Sequence, residues 1–271
     1  MVPAPGGTLP ALTDLDGLWD VERVSGALPP MAGVRKRISG TSGVTLAGRM
    51  AMPFRVRGHS LRYDPPFVGL VDHLVPDGDD FAGRATLFGK EFGRFRMRRI
   101  TVTDQLRTQL VKHIDEAHAM EQNVLRMLDG MISTTDDHEI RIALEHHKVE
   151  TQEHSDLMER RLEAHGASPS LVKQAGGILG ALAKLPLDLA RGEKAGRNAR
   201  DGFATEHMEI ASYELLQRIA RKAGDEETAE ACKTIIAQEQ AMADTIEANW
   251  DRFAELSLEE GGHRRLAAGP T

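Results

Sequence analysis

Two patterns of hydrophobic and polar positions divide the chain. Between residues 17 and 100, short runs alternate between apolar and polar residues, and turns rich in Gly, Pro and Asp separate them. Alternation with a period of two is typical of strands that bury one face. After residue 103, apolar residues recur every three or four positions, which is typical of amphipathic helices. The sequence therefore predicts an α+β protein with a β domain followed by a helical domain.

The first region predicts eight strands. They cover Leu18–Val24, Val34–Ile38, Val44–Met50, Phe54–Val56, Ser60–Tyr63, Leu70–Leu74, Phe81–Leu87 and Arg94–Ile100. Short strands at this spacing favour a small antiparallel barrel or a strongly twisted sheet. Gly17-Leu18-Trp19 is similar to the Gly-x-Trp of lipocalin-like barrels, and this resemblance implies a Trp packed across one barrel end near an Arg of the last strand. A small ligand site and a scaffold or protein-contact role both stay open for this domain.

The second region predicts four helices, at about residues 104–132, 136–165, 198–223 and 226–254. Thr103 or Asp104 is expected to cap the first helix. The connection between the second and third helices, Gly166 to Arg197, is longer than a helical hairpin needs. A crossover along a four-helix bundle explains that length, with amphipathic helices expected within Leu171–Leu189. The domains are then a flexible N-terminus (1–16), a β domain (17–100), a helical bundle (104–254) and a mobile tail (255–271).

Each predicted helix carries one glutamate on or beside its apolar stripe. Glu121, Glu209 and Glu239 lie at the centres of their stripes, and Glu150 lies roughly 60° to one side of the second stripe. An unpaired buried carboxylate costs several kcal/mol, and no Lys or Arg lies on the central stripes. Counting residues from the turns near Thr134–Asp136 and Gly224–Asp225 places all four at one level. The pattern predicts a shared metal site.

Four stretches resemble the YciE/YciF-type ferritin-like proteins of bacteria. They are Asp115-Glu-Ala-His-Ala-Met-Glu121, His147-Lys-Val-Glu-Thr-Gln-Glu-His154, Glu206-His-Met-Glu-Ile-Ala-Ser-Tyr213 and Gln238-Glu-Gln-Ala-Met-Ala243. The resemblance extends from about residue 104 to residue 253. It implies a ferritin-like four-helix bundle, a di-iron or di-manganese centre and a link to stress responses.

The sequence departs from the Glu-x-x-His motif that such di-metal centres take from two helices. Thr151 lies three residues before His154, and Met242 lies three residues after Glu239, so the second histidine of the motif is missing. The metal ligands are therefore expected to be Glu121, Glu150, His154, Glu209 and Glu239. His147 and His118 are possible substitutes for the missing nitrogen ligand, and Glu206 and Tyr213 are candidates for orienting Glu209. A degenerate or single-metal site stays open.

Composition indicates which kinds of partner the protein can bind and in which cellular compartment it is expected. The net charge is −7, and the first hundred residues carry 14 basic against 10 acidic residues, so the rest carries −11. An acidic helical domain argues against nucleic acid as its partner. The single cysteine, Cys232, fits a reducing compartment. The first residues lack a signal-peptide pattern, and no apolar run reaches the length of a membrane span, so a cytoplasmic protein is expected.

Two functions remain in view at this point. The first is a ferritin-like stress-response protein with an iron or manganese centre that oxidises Fe(II) or consumes peroxide. The metal content of the purified protein would distinguish it from the second. The second is a ferritin-like interaction protein with a degenerate metal site, in which the β domain is the ligand- or protein-binding module. A homo-oligomer is expected under either hypothesis.

Overall fold

A computed structural model describes residues 14–170 and 194–260. The chain forms two compact units, residues 1–105 and 106–271. The expected flexible N-terminus falls largely outside the described residues, as do the amphipathic helices expected within Leu171–Leu189. The fold class is confirmed: an antiparallel β-barrel is followed by a ferritin-like helical bundle.

Eight antiparallel strands form the first unit and follow one another around a closed barrel. The strands are β1 (Gly17–Gly26), β2 (Arg35–Ser39), β3 (Ser42–Ala47), β4 (Met50–Arg57), β5 (Ser60–Tyr63), β6 (Leu70–Asp77), β7 (Asp80–Leu87) and β8 (Lys90–Ile100). Pairing of β1 with β8 closes the barrel and leaves no free strand edge. All eight predicted strands are present, because alternation identifies strands that bury one face. The third prediction ran through the Gly48-Arg49 turn to Met50, which begins β4.

Aromatic rings fill the barrel interior by packing over glycine. Phe54 lies opposite Gly43, and Phe95 lies opposite Gly83. A Cβ atom added to Gly83 would come within 2.2 Å of the Phe95 ring. Both phenylalanines are buried together with Trp19, Leu61 and Met97. The interior is therefore a packed core.

A buried lysine lies inside this apolar core. Its ammonium Nζ is 2.8 Å from Asp72 Oδ2, 2.8 Å from Thr45 Oγ1 and 2.5 Å from the Tyr63 hydroxyl. Burial disfavours the charged form of Lys36, but the Asp72 carboxylate and Tyr63 outweigh burial and raise the pKa of Lys36. All three ammonium hydrogens are thus used, as a charge at this depth requires.

The lipocalin-like prediction for the first strand is confirmed. Trp19 is fully buried, and its Nε1 donates a hydrogen bond to Leu15 O at 2.8 Å. The guanidinium carbon of Arg99, on the last strand, lies 4.1 Å from the Trp19 ring centroid. Arg99 also donates to the backbone carbonyls of Asp14 and Asp16. Arg99 therefore ties the segment before β1 to the strand that closes the barrel.

Helices make up the described part of the second unit. They are α1 (Val102–Thr134), α2 (His138–Ala164), α3 (Lys194–Ala223), α4 (Glu226–Glu247) and α5 (Trp250–Glu260). No helix among the described residues combines the length and the apolar character that crossing a membrane requires.

Side-chain contacts fix the relative directions of these helices. The contacting pairs are Gln122–Ser155 and Asp129–Lys148 between α1 and α2, Glu121–Tyr213 and Thr134–Asn198 between α1 and α3, and His154–Gln238 and Arg161–Thr228 between α2 and α4. In each pair of helices the residue numbers run in opposite directions. Since α1 is antiparallel to both α2 and α3, the consecutive helices α2 and α3 are parallel. The end of α2 and the start of α3 therefore lie at opposite ends of the bundle, as in ferritin-like topology.

Several helix boundaries differ from the prediction. Thr101 caps α1, because its hydroxyl accepts from Asp104 N at 3.1 Å while Asp104 Oδ2 accepts from Thr101 N at 2.9 Å. The fourth predicted helix is interrupted at residues 248–249, where Asn249 N bonds to Ile246 O at 3.0 Å and tightens the turn. Residues 255–260, expected within a mobile tail, belong to α5, and this helix packs through Phe253 beside Ile246. Residues 261–271 lie outside the described part of the chain.

Candidate metal centre

Four glutamates and two histidines meet inside the helical bundle. Each helix from α1 to α4 contributes at least one of them, and each is at most 3% exposed. They are Glu121 from α1, His147 and His154 from α2, Glu206 and Glu209 from α3, and Glu239 from α4. Apolar side chains lie on both sides of the cluster, with Met120, Met158 and Leu216 on one side and Val124, Leu128 and Leu144 on the other. The bundle core thus encloses a compact set of metal-ligating side chains.

The six side chains form two groups that share Glu239. One group is His147, Glu206, Glu209 and Glu239, and the other is Glu121, His154 and Glu239; within each group the ligand atoms lie within 4.8 Å of one another. Glu239 Oε1 lies 2.9 Å from His154 Nδ1, and Glu239 Oε2 lies 3.6 Å from His147 Nε2. One carboxylate oxygen of Glu239 therefore faces each group, which is the arrangement of a bridging carboxylate.

Unpaired polar atoms concentrate in this cluster. Among the described residues, ten buried side-chain nitrogen or oxygen atoms lack a hydrogen-bond partner, and nine of them belong to these six side chains. Both oxygens of Glu209 and both of Glu239 are in this set. Buried polar atoms without partners are rare, since each costs free energy that folding must offset. Apart from His147 Nδ1, which faces Glu150, these atoms face the centre of the cluster, where a bound cation would satisfy them, so the residues present fit a metal.

Neighbouring side chains hold several ligand atoms in place. Gln238 Oε1 accepts from His154 Nε2 at 3.0 Å, which leaves Nδ1 of His154 free to act as a ligand atom. The fully buried Tyr213 hydroxyl donates to Glu121 Oε1. On the outer side of His147, Glu150 Oε2 lies 3.6 Å from Nδ1. The two hydrogen bonds orient Glu121 of α1 and His154 of α2 toward the centre, and Glu150 flanks His147.

Burial and mutual proximity shift the acidities of the cluster. Burial raises the pKa of Glu121 to about 8 and that of Glu206 to about 7, and burial together with three neighbouring carboxylates raises the pKa of Glu209 well above its ordinary value. Burial acts against the charged form of His147, but the Glu206 carboxylate outweighs it and raises the pKa of His147 to about 9. Burial also acts against ionised Glu239, but the His154 and Glu206 side chains outweigh it and lower the pKa of Glu239. Without a cation the cluster therefore retains protons near neutral pH.

The structure brings four of the five expected ligands together. Glu121, His154, Glu209 and Glu239 belong to the two groups, whereas Glu150 lies outside both and its side chain is 23% exposed. Its level along the helix does not explain this, because Glu150 lies between His147 and His154 on α2, and both histidines belong to the cluster. Glu150 lies beside the apolar stripe of α2 and not on it, so its carboxylate stays at the edge of the bundle core.

His147 and Glu206 occupy positions that the sequence argument treated as secondary. His147 lies on the same stripe as His154 at a spacing of seven residues, which are two helical turns. Glu206 lies three residues before Glu209 and therefore on the same face of α3. These spacings were visible in the sequence, but an expectation centred on Glu-x-x-His gave them less weight. His118, the other possible substitute, belongs to neither group.

Comparison with known proteins identifies the helical region. Residues 105–259 match the family model described as "Domain of unknown function (DUF892)". A protein of known structure from Xanthomonas campestris pv. campestris is 31% identical over 58% of this chain and 99% of its own, with a TM-score of 0.49. The E. coli stress protein YciF matches 55% of this chain and 97% of its own at 17% identity, with a TM-score of 0.50. A protein from Bacillus anthracis described as ferritin-like and diiron-carboxylate matches 56% of this chain and 99% of its own at 15% identity, with a TM-score of 0.44.

The model match covers more than half of the chain. A ferritin-like bundle and a buried carboxylate–histidine cluster accompany that match. The chain therefore belongs, through its helical region, to the DUF892 family, and that region has the ferritin-like fold.

Proposed function

We propose that this chain binds two iron or manganese ions in the cluster, one in each group, and acts as a stress-response oxidoreductase that oxidises Fe(II) or consumes peroxide. The observation that carries the proposal is the inventory of ligands. Di-metal carboxylate proteins use four glutamates and two histidines from four helices. The two groups contain four glutamates and two histidines, although both histidines come from α2 and two glutamates come from α3.

Charge balance supports two divalent ions. Four ionised carboxylates carry −4 in a poorly solvated layer, and the two histidines become neutral when they act as ligands. Two divalent cations neutralise that charge. Carboxylate and imidazole ligands suit iron or manganese, and no thiolate is near, since burial raises the pKa of Cys232 to about 12 and keeps it a neutral thiol.

The clustered residues would have different roles in binding the two ions. Glu239 would bridge the two ions, and Glu121 and Glu209 would each bind at one end. His154 and His147 would supply one nitrogen to each group. Gln238 would hold the outer nitrogen of His154 by a hydrogen bond, and Glu150 lies 3.6 Å from the outer nitrogen of His147. When bound, iron or manganese would supply electron transfer toward O2 or peroxide. The surrounding leucine and methionine side chains would exclude bulk water.

The test is metal content and thermal stability of Glu239→Gln. Replacing the shared carboxylate should lower the iron or manganese bound after reconstitution from about two ions per chain to one or fewer, because both groups lose a ligand. It should also lower the Tm of the metal-loaded protein. Mass spectrometry gives the metal content, and melting with and without a chelator gives the stability.

Glu153→Gln is the matched control, because Glu153 is exposed on α2 and belongs to neither group. This variant should bind metal and melt as the wild type does. If the wild type binds no metal under reconstitution, and Glu239→Gln melts at or above the wild-type temperature, the metal centre is wrong. The ferritin-like interaction protein would then be the better description.

A further inference from the structure

A second feature of the bundle is an apolar pocket that extends from one end of the bundle to the cluster. Its volume is about 220 Å³, and every described helix of the second unit lines it. Its walls include Met127, Met131, Leu144, Ile246 and Phe253. Glu206, one of the four clustered glutamates, also lines it. The pocket therefore joins the surface of the bundle to the candidate metal centre.

The length of the pocket follows from its residues on α3. Asn198 lines it at the level where α1 ends, since the amide of Asn198 reaches the Thr134 hydroxyl at 3.3 Å. Glu206 lies eight residues further along α3, which corresponds to ~12 Å of helix. An apolar cavity of ~150 Å³ can hold a benzene ring, so this pocket has room for a chain of roughly eight carbons. An elongated pocket of this kind favours a straight chain.

The polar groups of the pocket lie at its two ends. At the inner end, Glu206 is 1% exposed and its Oε2 lacks a hydrogen-bond partner. At the outer end are four carboxylates and one guanidinium, those of Asp136, Asp137, Glu139, Glu260 and Arg252. Arg252 is paired with Asp137, so the remaining charge at the mouth is negative. An anionic ligand would meet carboxylates at both ends.

We propose that this pocket binds an uncharged straight-chain aliphatic molecule of about eight carbons, such as a primary alcohol, with its polar end beside Glu206. Three methionines, Met127, Met131 and Met242, line the pocket and can adapt to such a chain. The placement of the ligand next to the metals rests on the proposed function. Binding of the ligand to the metal-free protein does not depend on the proposed function.

Gly202 offers a way to fill the pocket without altering the cluster. It lines the pocket on α3, and an added Cβ would be 3.4 Å from Ile246 Cδ1 and 4.0 Å from Met131 Cε, which are ordinary contact distances. Gly202→Leu would therefore place the rest of its side chain in the pocket. Ala241→Leu is the matched control, since Ala241 is exposed on α4 and does not line the pocket. Ala143→Leu fills the pocket from α2 and replaces Gly202→Leu if that variant does not fold.

Isothermal calorimetry on the metal-free full chain tests the proposal, with 1-octanol and octanoate as probes. The wild type should bind one 1-octanol per chain and octanoate at least tenfold more weakly. Gly202→Leu should weaken 1-octanol binding at least tenfold, and Ala241→Leu should bind as the wild type does. Absence of saturable 1-octanol binding to the wild type, equal affinity for octanoate, or equal binding by the two leucine variants would overturn the pocket proposal.

A second measurement separates this proposal from the metal proposal. With Mn(II) loaded, 1-octanol should change the electron paramagnetic resonance spectrum of the wild type but not that of Gly202→Leu. An unchanged wild-type spectrum would overturn the placement beside the metals. Binding of 1-octanol by a chain that takes up no metal would refute the proposed function and leave the pocket standing. Metal uptake without 1-octanol binding would refute the pocket proposal and leave the proposed function standing.

Discussion

Glu239 and Glu209 are both fully buried on apolar stripes, yet their pKa values shift in opposite directions. Burial opposes ionisation of both. Only Glu239 lies near both histidines, so its pKa is lowered, whereas Glu209 faces three carboxylates and its pKa is raised. In the metal-free cluster, Glu239 therefore keeps its negative charge to a lower pH than Glu209 does.

The retained protons give the metal-free protein a characteristic pH dependence. Glu121 and Glu206 have folded-state pKa values of about 8 and about 7, above the ordinary 4.5, so the folded state binds more protons than the unfolded state and stability falls as pH rises from about 4.5 to about 8. His147, raised from 6.5 to about 9, stabilises the fold below pH 6.5, and this stabilisation is lost as pH rises through about 9. Both effects have the same sign. Urea unfolding of chelator-treated protein should therefore show falling stability from pH 5 to pH 9.

Bound metal should reverse the fall of stability with rising pH. Metal binding displaces the protons of the cluster's carboxyl and imidazole groups, so it becomes tighter as pH rises. The stability difference between loaded and metal-free protein should widen from pH 5 to pH 9. Glu206→Gln should flatten the metal-free curve, since it removes one raised carboxyl and the partner of His147. A metal-free protein that gains stability over this range would contradict the assignment of these protons.

Tyr213 is the residue whose single hydrogen bond should matter most to the centre. Its hydroxyl donates to Glu121, and both side chains are fully buried. Tyr213→Phe leaves that carboxylate oxygen unpaired, which should cost ~1–3 kcal/mol in the metal-free protein. Metal affinity should fall by about 10- to 100-fold, as measured by competition with a chelator of known affinity. Tyr63→Phe makes the same chemical change in the barrel and should leave metal affinity unaltered; an equal effect of the two variants would exclude this role for Tyr213.

At the scale of elements, one aspartate joins two helices. Asp225 caps α4 by accepting from Thr228 N at 3.0 Å, and it also binds Arg161 at 2.9 Å and His165 at 2.8 Å, both near the end of α2. Asp225→Ala should lower the free energy of unfolding by ~2 kcal/mol or more, since it removes the helix cap and one of the carboxylates that pair with the buried Arg161 guanidinium. Asp225→Asn keeps a capping side chain and should cost about half as much. Urea unfolding followed by helical ellipticity measures both, and equal losses would show that the cap itself contributes little.

Elements with one buried face were the most accessible to sequence reasoning. Alternation located all eight strands, and the spacing of apolar residues located the helices. Gly224, with φ of 77°, ends α3 and marks the hairpin where the sequence predicted it. The interruption after Glu247 was missed because the apolar stripe continues through Trp250 and Phe253. Periodicity records which face is buried, but a local tightening of the backbone leaves that face unchanged.

Membership of the site depended on the face of each helix more than on distance along it. Glu121, Glu209 and Glu239 were predictable because each is a carboxylate centred on an apolar stripe. Glu150 failed that criterion, and only the equal-level argument supported it. That argument was too weak, because Glu150 lies along α2 between His147 and His154 of the cluster but beside their stripe, where its side chain is 23% exposed.

At the scale of the whole molecule, the two units differ in what stabilises them. The barrel core is closed by β1–β8 pairing and contains an internally paired lysine, whereas the bundle core contains carboxylate oxygens without hydrogen-bond partners. Metal should therefore stabilise the bundle and leave the barrel unchanged. With free metal at about 100 times its Kd, the gain for the folded bundle would be ~2.7 kcal/mol.

The two tryptophans allow the units to be followed separately in one protein. Trp19 is buried in the barrel, and Trp250 lies at the start of α5, so in Trp250→Phe the remaining tryptophan reports on the barrel alone. Ellipticity at a helical wavelength reports on the bundle. In this variant, adding a chelator to metal-loaded protein should lower the unfolding midpoint seen by ellipticity and leave the Trp19 midpoint in place, because only the bundle loses a ligand. Equal movement of both midpoints would mean that barrel and bundle unfold as one cooperative unit, and an unmoved ellipticity midpoint would mean that the cluster's unpaired carboxylates are not stabilised by metal.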